Sequence, residues 1–204
     1  MRARRTRRPT LAVAAAATAW LAASALSSTA SPAAEPGIAA LMAALAGVRE
    51  SRAAFVEEKA LAALTSPLVS RGTLLYAAPS RLEKRTETPF AELVAVDGDR
   101  LTYERPAEGV NRTLSLAGAP ELRGLVEAVR GTLAGDLEAL RRHYSVGYEG
   151  TPDAWRLTLV PVDAKVRELL KVVRVDGGGT DLRRVETVEA DGDVSTMTIE
   201  PRTR

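Results

Sequence analysis

From Ser51 to Glu200 most of the chain is a succession of short runs, each about 6 to 12 residues long and closed by a turn signal. This is the pattern of strands joined as antiparallel hairpins. It predicts strands near 51–63, 67–77, 81–88, 90–97, 100–105 and 110–116. After an interruption they resume over 143–149, 155–160, 171–176, 182–190 and 194–200. Asp97-Gly98 is the sharpest hairpin marker, because Asp-Gly tolerates the positive φ of a tight primed turn. Gly177-Gly178-Gly179 and Asp191-Gly192-Asp193 read as further turns. Sequential hairpins of this kind make one long, strongly curved antiparallel sheet.

Two helical segments flank the first six strands. Pro36-Gly37 opens one in which Ile38, Leu41, Met42, Leu45 and Val48 follow helical spacing, while Ala39, Ala40, Ala43, Ala44 and Gly47 fill most of the rest. A helix apolar or small nearly all round is covered on both sides. The second carries Leu122, Leu125, Val126, Val129, Leu133, Leu137 and Leu140 on one face and charges elsewhere, with a break expected at Gly131 or Gly135. It reads as an amphipathic helix lying on a sheet or over an opening. Pro161 to Leu169 suggests a short helical crossing. The fold class is α+β, mainly β, with about eleven strands and two or three helices.

Before the first helix stand Arg2, Arg4, Arg5, Arg7 and Arg8, an uncharged Ala/Leu/Val run from Thr10 to Leu26, and Ser28-Thr29-Ala30. This reads as a secretory signal over residues 1–30, cleaved as late as 34, ahead of one domain over 31–204. Removing those five arginines leaves 23 basic against 26 acidic residues, a net charge of −3. Nucleic-acid binding thereby loses its compositional support. The absence of cysteine excludes disulfides, thiolate metal sites and a lipid-attachment cysteine. With 4% aromatic and 46% hydrophobic residues, whatever the protein encloses is walled mainly by aliphatic side chains.

Reaction chemistry finds little footing. His143 is the single histidine and sits at a predicted helix end, where it complements the helix dipole. The Asp-Gly-Asp triplets at 97–99 and 191–193 lack the spaced carboxylates of a calcium loop and read as hairpin turns. Gly177-Gly178-Gly179 lacks the Lys-Ser/Thr of a phosphate loop. Glu57, Glu58, Glu83, Glu87 and Glu92 offer carboxylates, but no nucleophile with its base stands out. No catalytic residue, metal site or cofactor is expected.

Several segments carry a family resemblance. Phe55-Val56-Glu57-Glu58-Lys59 is similar to a Phe-x-Gln-x strand after a first helix. Ser70 to Leu82 resembles a Gly-x-Leu-Trp-x-x-Arg-Pro segment, Leu93 to Leu101 a strand-turn-strand, and Trp155 to Pro161 an L-x-P strand. Together with the order of elements, these resemble the outer-membrane lipoprotein carrier family, LolA and its relatives. The resemblance implies an unclosed antiparallel half-barrel whose concave hydrophobic face is covered by helices, forming a pocket for acyl chains. It also implies a periplasmic location, lipid or lipoprotein acyl chains as cargo, an inner-membrane donor and an outer-membrane acceptor as partners, and a monomer. The family arginine before the strand-end proline is replaced by Ala78, so lid closure rests on other residues, with Arg81 and Arg85 as candidates. The shortened C-terminal end resembles the LolA-like branch found with aryl-polyene and other glycolipid assembly genes.

The leading expectation is therefore a periplasmic carrier binding an acyl chain, lipoprotein or other lipid-like molecule. Leu41, Leu45, Phe55, Leu74, Tyr76, Leu93, Leu101, Leu116, Leu122, Leu125, Val129, Leu157 and Leu159 are the candidates for its lining. The alternative is an envelope lipid-sensing or protein-binding module on the same half-barrel. An enzyme acting on envelope lipids or glycans through a Glu pair is the third and weakest reading.

Overall fold

The structure, a computed structural model, describes residues 34–201. The expected signal, residues 1–30, lies outside the described residues. Helix α1 (Ala34–Ala46) begins two residues before Pro36-Gly37, since a proline in the first turn removes an N–H that has no intrahelical partner. Six strands follow: β1 (Glu50–Ala60), β2 (Leu68–Ala77), β3 (Arg81–Thr88), β4 (Glu92–Asp97), β5 (Arg100–Arg105) and β6 (Val110–Ser115). Helices α2 (Pro120–Leu133) and α3 (Leu137–His143) interrupt them. The chain ends in β7 (Tyr144–Thr151), β8 (Ala154–Pro161), the single-turn α4 (Ala164–Arg167), β9 (Leu170–Gly178), β10 (Asp181–Glu189) and β11 (Val194–Pro201).

All eleven strands form one antiparallel sheet in the order β6-β5-β4-β3-β2-β1-β11-β10-β9-β8-β7. Nine of its ten pairings join strands consecutive in the chain. The exception joins β1 to β11, with Phe55 opposite Ile199 and Glu57 opposite Met197. The edges are β6 and β7, so the sheet is an unclosed half-barrel. Because α2 and α3 connect one edge to the other, the chain between them has to pass across the open side.

Local chemistry places the turns. Gly98 supplies a φ of +58° in the β4–β5 hairpin. The second helical segment divides after Leu133, and Asp136 caps α3 by accepting from the Ala139 N–H at 2.8 Å. The 177–179 run does more than turn: Gly177 and Gly178 belong to β9, and a Cβ on Gly177 would stand 2.2 Å from the Trp155 ring. Trp155 is buried there and donates its indole N–H to the Gly179 carbonyl at 3.0 Å.

Two apolar clusters occupy the concave face. The larger packs Ile38, Leu41, Met42 and Leu45 of α1 with Leu140, Tyr144, Leu157, Leu159, Val173 and Val175. The smaller gathers Val96, Leu101 and Leu116, with Leu82, Val94, Tyr103, Leu114 and Val126 against them. The larger cluster draws its sheet residues mainly from β7–β10, and the smaller from β3–β6.

Candidate functional site

Between the two clusters, over the middle strands, lies a cavity of about 290 Å³. Strand alternation turns Ala53, Leu74, Leu82, Val94, Val96, Val185, Met197 and Ile199 into it, and α1 adds Leu45 and Val48. Its remaining wall is α2, through Leu125, Val126, Val129 and Leu133.

The packing of α2 inverts the usual arrangement of an amphipathic helix. Its most buried residues are Gly124, Glu127, Ala128, Gly131 and Thr132, spaced as one helical face. Small residues on that face allow close approach: a Cβ on Gly131 would stand 2.8 Å from Leu140 of α3, and one on Gly124 3.1 Å from Val166 of α4. Tyr144, buried at the start of β7, donates its hydroxyl to the Gly124 carbonyl at 2.6 Å. Burial, with the Glu127 charge nearby, pushes that phenol well above its ordinary range. With the small face packed, the Leu/Val stripe faces the hollow, and Leu125 remains 40% exposed at its mouth.

Helix α2 is tied to the β4–β5 hairpin by two arginines. Arg130 donates to the Gly98 carbonyl at 2.8 Å while pairing with the buried Glu127. Arg123 pairs with Asp99 at 2.5 Å and donates to the Leu116 carbonyl at 3.3 Å. Arg81 instead pairs with Glu83 on its own strand. The fastening of this helix thus comes from the helix itself, in a chain where Ala78 precedes Pro79.

Among the polar residues that interrupt the lining, Lys84 and Glu57 form an ion pair. Lys84 of β3 reaches across β2 and pairs with Glu57 of β1. A Cβ on Gly72 would stand 1.9 Å from the Arg85 carbonyl oxygen and 3.0 Å from the Phe55 ring. Glu57 also accepts from Ser195 at 2.7 Å and Ser70 at 3.4 Å. Burial alone would raise its pKa, but the Lys84 charge and the hydrogen bonds from Lys84, Ser195 and Ser70 hold the carboxyl below its ordinary value. The Lys84 ammonium lies 5.3 Å from the centre of the Phe55 ring.

Of the thirteen candidates from the sequence, Leu45, Leu74, Tyr76, Leu125 and Val129 line this cavity. Leu41, Leu157 and Leu159 are in the larger packed cluster, and Leu101 and Leu116 in the smaller. Phe55 is buried beneath Lys84. Leu122 lies on the exposed side of α2, and Leu93, opposite Arg85 and Glu104, has the face parity opposite to Val94 and Val96. Sequence reasoning missed the wall formed by β10 and β11, although the alternation Val185/Thr187 and Met197/Ile199 carried the signal.

Two further carboxylates, Glu83 and Asp181, reach the lining, and Glu83 is paired with Arg81. The turn at 191–193 brings Glu189, Asp191 and Asp193 within 4.8 Å of one another. There Glu189 pairs with Lys59 at 2.8 Å, while Asp193 and Asp191 accept the N–H groups of Ala62 and Asp193. The last of these lies within the β10–β11 turn, and the other two tie that turn to the end of β1 and the loop after it.

The architecture is an unclosed antiparallel half-barrel with a largely aliphatic hollow under a crossing helix. The chain belongs to the family described as outer membrane lipoprotein carrier protein LolA-like, whose model matches residues 29–200. Among solved structures, it is similar to the LolA superfamily protein NE2245 from Nitrosomonas europaea, at 14% identity over 81% of this chain and 93% of that one, with a TM-score of 0.43. It is also similar to LprF from Mycobacterium bovis, at 12% identity over 82% of this chain and 93% of that one, with a TM-score of 0.30. A comparison with curated proteins yields no match. Among the described residues, no helix is long and apolar enough to cross a membrane.

Proposed function

We propose that this protein is a periplasmic carrier, exported by a signal over residues 1–30 that is then removed, that shelters an acyl chain and moves it toward the outer membrane. The observation that carries the reading is the orientation of α2: its small face is packed, and its Leu/Val stripe is turned toward a hollow. Leaving Leu125 and Val129 of that stripe outside both packed clusters forgoes burial, which an alkyl chain restores at about 0.8 kcal/mol per CH₂ taken from water. Leu45, Leu74, Tyr76, Leu125 and Val129 are the proposed contacts. A volume of about 290 Å³ is at the small end of ligand pockets, so the cargo is one chain at a time. The protein acts as a monomer, receiving its cargo from an inner-membrane donor and passing it to an outer-membrane acceptor. Binding and release are the whole cycle, with no covalent step.

Native mass spectrometry of protein purified from the periplasm tests this. The expected result is a population carrying lipid-sized adducts that fluorescent acyl probes displace. A clean ligand-free mass together with no probe uptake would overturn the proposal.

A further inference from the structure

The Lys84–Glu57 pair is out of place in a wall built for hydrocarbon. Replacing such a pair by apolar side chains is often neutral or stabilising, so its presence calls for a use other than stability. The hydrogen bonds identify one. Both Glu57 oxygens are engaged, one with Ser195 and the other with Lys84 and Ser70. The Lys84 ammonium has three N–H donors and, among the described residues, one hydrogen-bonding partner, Glu57. Its side chain is 29% exposed and lines the cavity. Two donors are therefore free to meet whatever enters.

The charge balance narrows what that is. Glu57 already neutralises Lys84, so a free carboxylate or phosphate arriving beside them would add an unbalanced negative charge next to the Glu57 carboxylate. A neutral oxygen acceptor takes the free donors without adding charge. We propose that Lys84 reads the ester or amide carbonyl at the head of an acyl chain, so that the cavity selects chains in neutral linkage over bare hydrocarbon and over free fatty acid. The inference rests on the carrier reading and deepens it by naming the chemical form of the cargo.

The test is displacement of a fluorescent acyl probe by tetradecane, methyl tetradecanoate, N-methyl tetradecanamide and tetradecanoic acid, with the full protein and with Lys84→Met. The intact protein should prefer the ester and amide to the hydrocarbon by about tenfold, a hydrogen bond from a charged donor. It should bind the free acid no better than the ester. Lys84→Met should keep its affinity for the hydrocarbon and lose the preference. Because that variant leaves Glu57 without its partner, Glu57→Gln/Lys84→Met is measured beside it and should lose the preference too. A preference that survives in both variants, its absence from the intact protein, or tightest binding of the free acid would overturn the inference while leaving the carrier reading intact. Failure of every probe to enter the intact protein would overturn both. The ester and amide arms separate a lipid linkage from an acylated amine as the source of the carbonyl.

Discussion

Gly135 and Gly98 both adopt positive φ, at +63° and +58°, yet they stand in different surroundings. A Cβ on Gly98 would meet nothing within 4 Å, whereas one on Gly135 would stand 2.1 Å from the Met42 carbonyl oxygen and 2.6 Å from the Ala46 nitrogen. Gly98→Ala should therefore cost only the strain of its conformation, about 1 kcal/mol. Gly135→Ala adds a backbone clash with α1 and should cost about 3 kcal/mol, both read from urea denaturation. Glu57 yields a prediction in pH. Its carboxyl is held below the ordinary 4.5, so the stability it contributes is fully present above that value and is lost as pH falls through the lowered one. Urea midpoints measured from neutral pH down to about pH 3 should fall less steeply in Glu57→Gln than in the intact protein. The sequence showed Glu57 as one carboxylate among many. What distinguishes it is Lys84, two strands away and on the same face of the sheet, a relation that depends on register.

Helix α2 was legible as an amphipathic segment, but which face it would bury was not. Hydrophobic periodicity assumes that the apolar stripe is the packed one. Here Gly124, Ala128 and Gly131 approach α3 and α4 so closely that the small face packs instead. The pair of Glu127 with Arg130 lies on that side, and Glu127 is only 8% exposed. Arg130→Ala should destabilise the protein by about 3 kcal/mol, because it leaves a buried carboxylate unpaired and removes the bond to Gly98. Glu127→Gln/Arg130→Met should recover part of that loss in the same denaturation experiment. In either variant, hydrogen exchange should accelerate along α2 ahead of the central strands. The strands themselves were readable almost to their ends, since each hairpin is a local pairing announced by its turn. β4 marks the limit: Leu93-Val94-Ala95-Val96 is apolar at every position, so alternation cannot say that Val94 and Val96 face inward.

The division of the concave face into packed ends and a hollow middle is a property of the assembled sheet. Leu157 and Leu159 share the inward parity of the cavity residues, but α1 covers their end of the sheet and fills it. No local pattern distinguishes the two fates, which is why the lining was only partly legible. Filling the two regions should distinguish them. Val129→Phe enters the hollow and should leave stability within about 1 kcal/mol of the original while abolishing uptake of acyl probes. Val175→Phe, at a fully buried position of the larger cluster, should cost about 2 kcal/mol or more. The seam between β1 and β11 carries a further consequence for biogenesis. Among the described strands those two are the farthest apart in the chain, and they sit side by side at the centre of the sheet. Hairpins β2 to β6 can form as soon as they emerge, but loop-closure entropy delays the joining of such distant partners. Until that seam closes, Met197 and Ile199 are missing from the wall of the hollow, so the hollow is completed by the slowest pairing in the sheet.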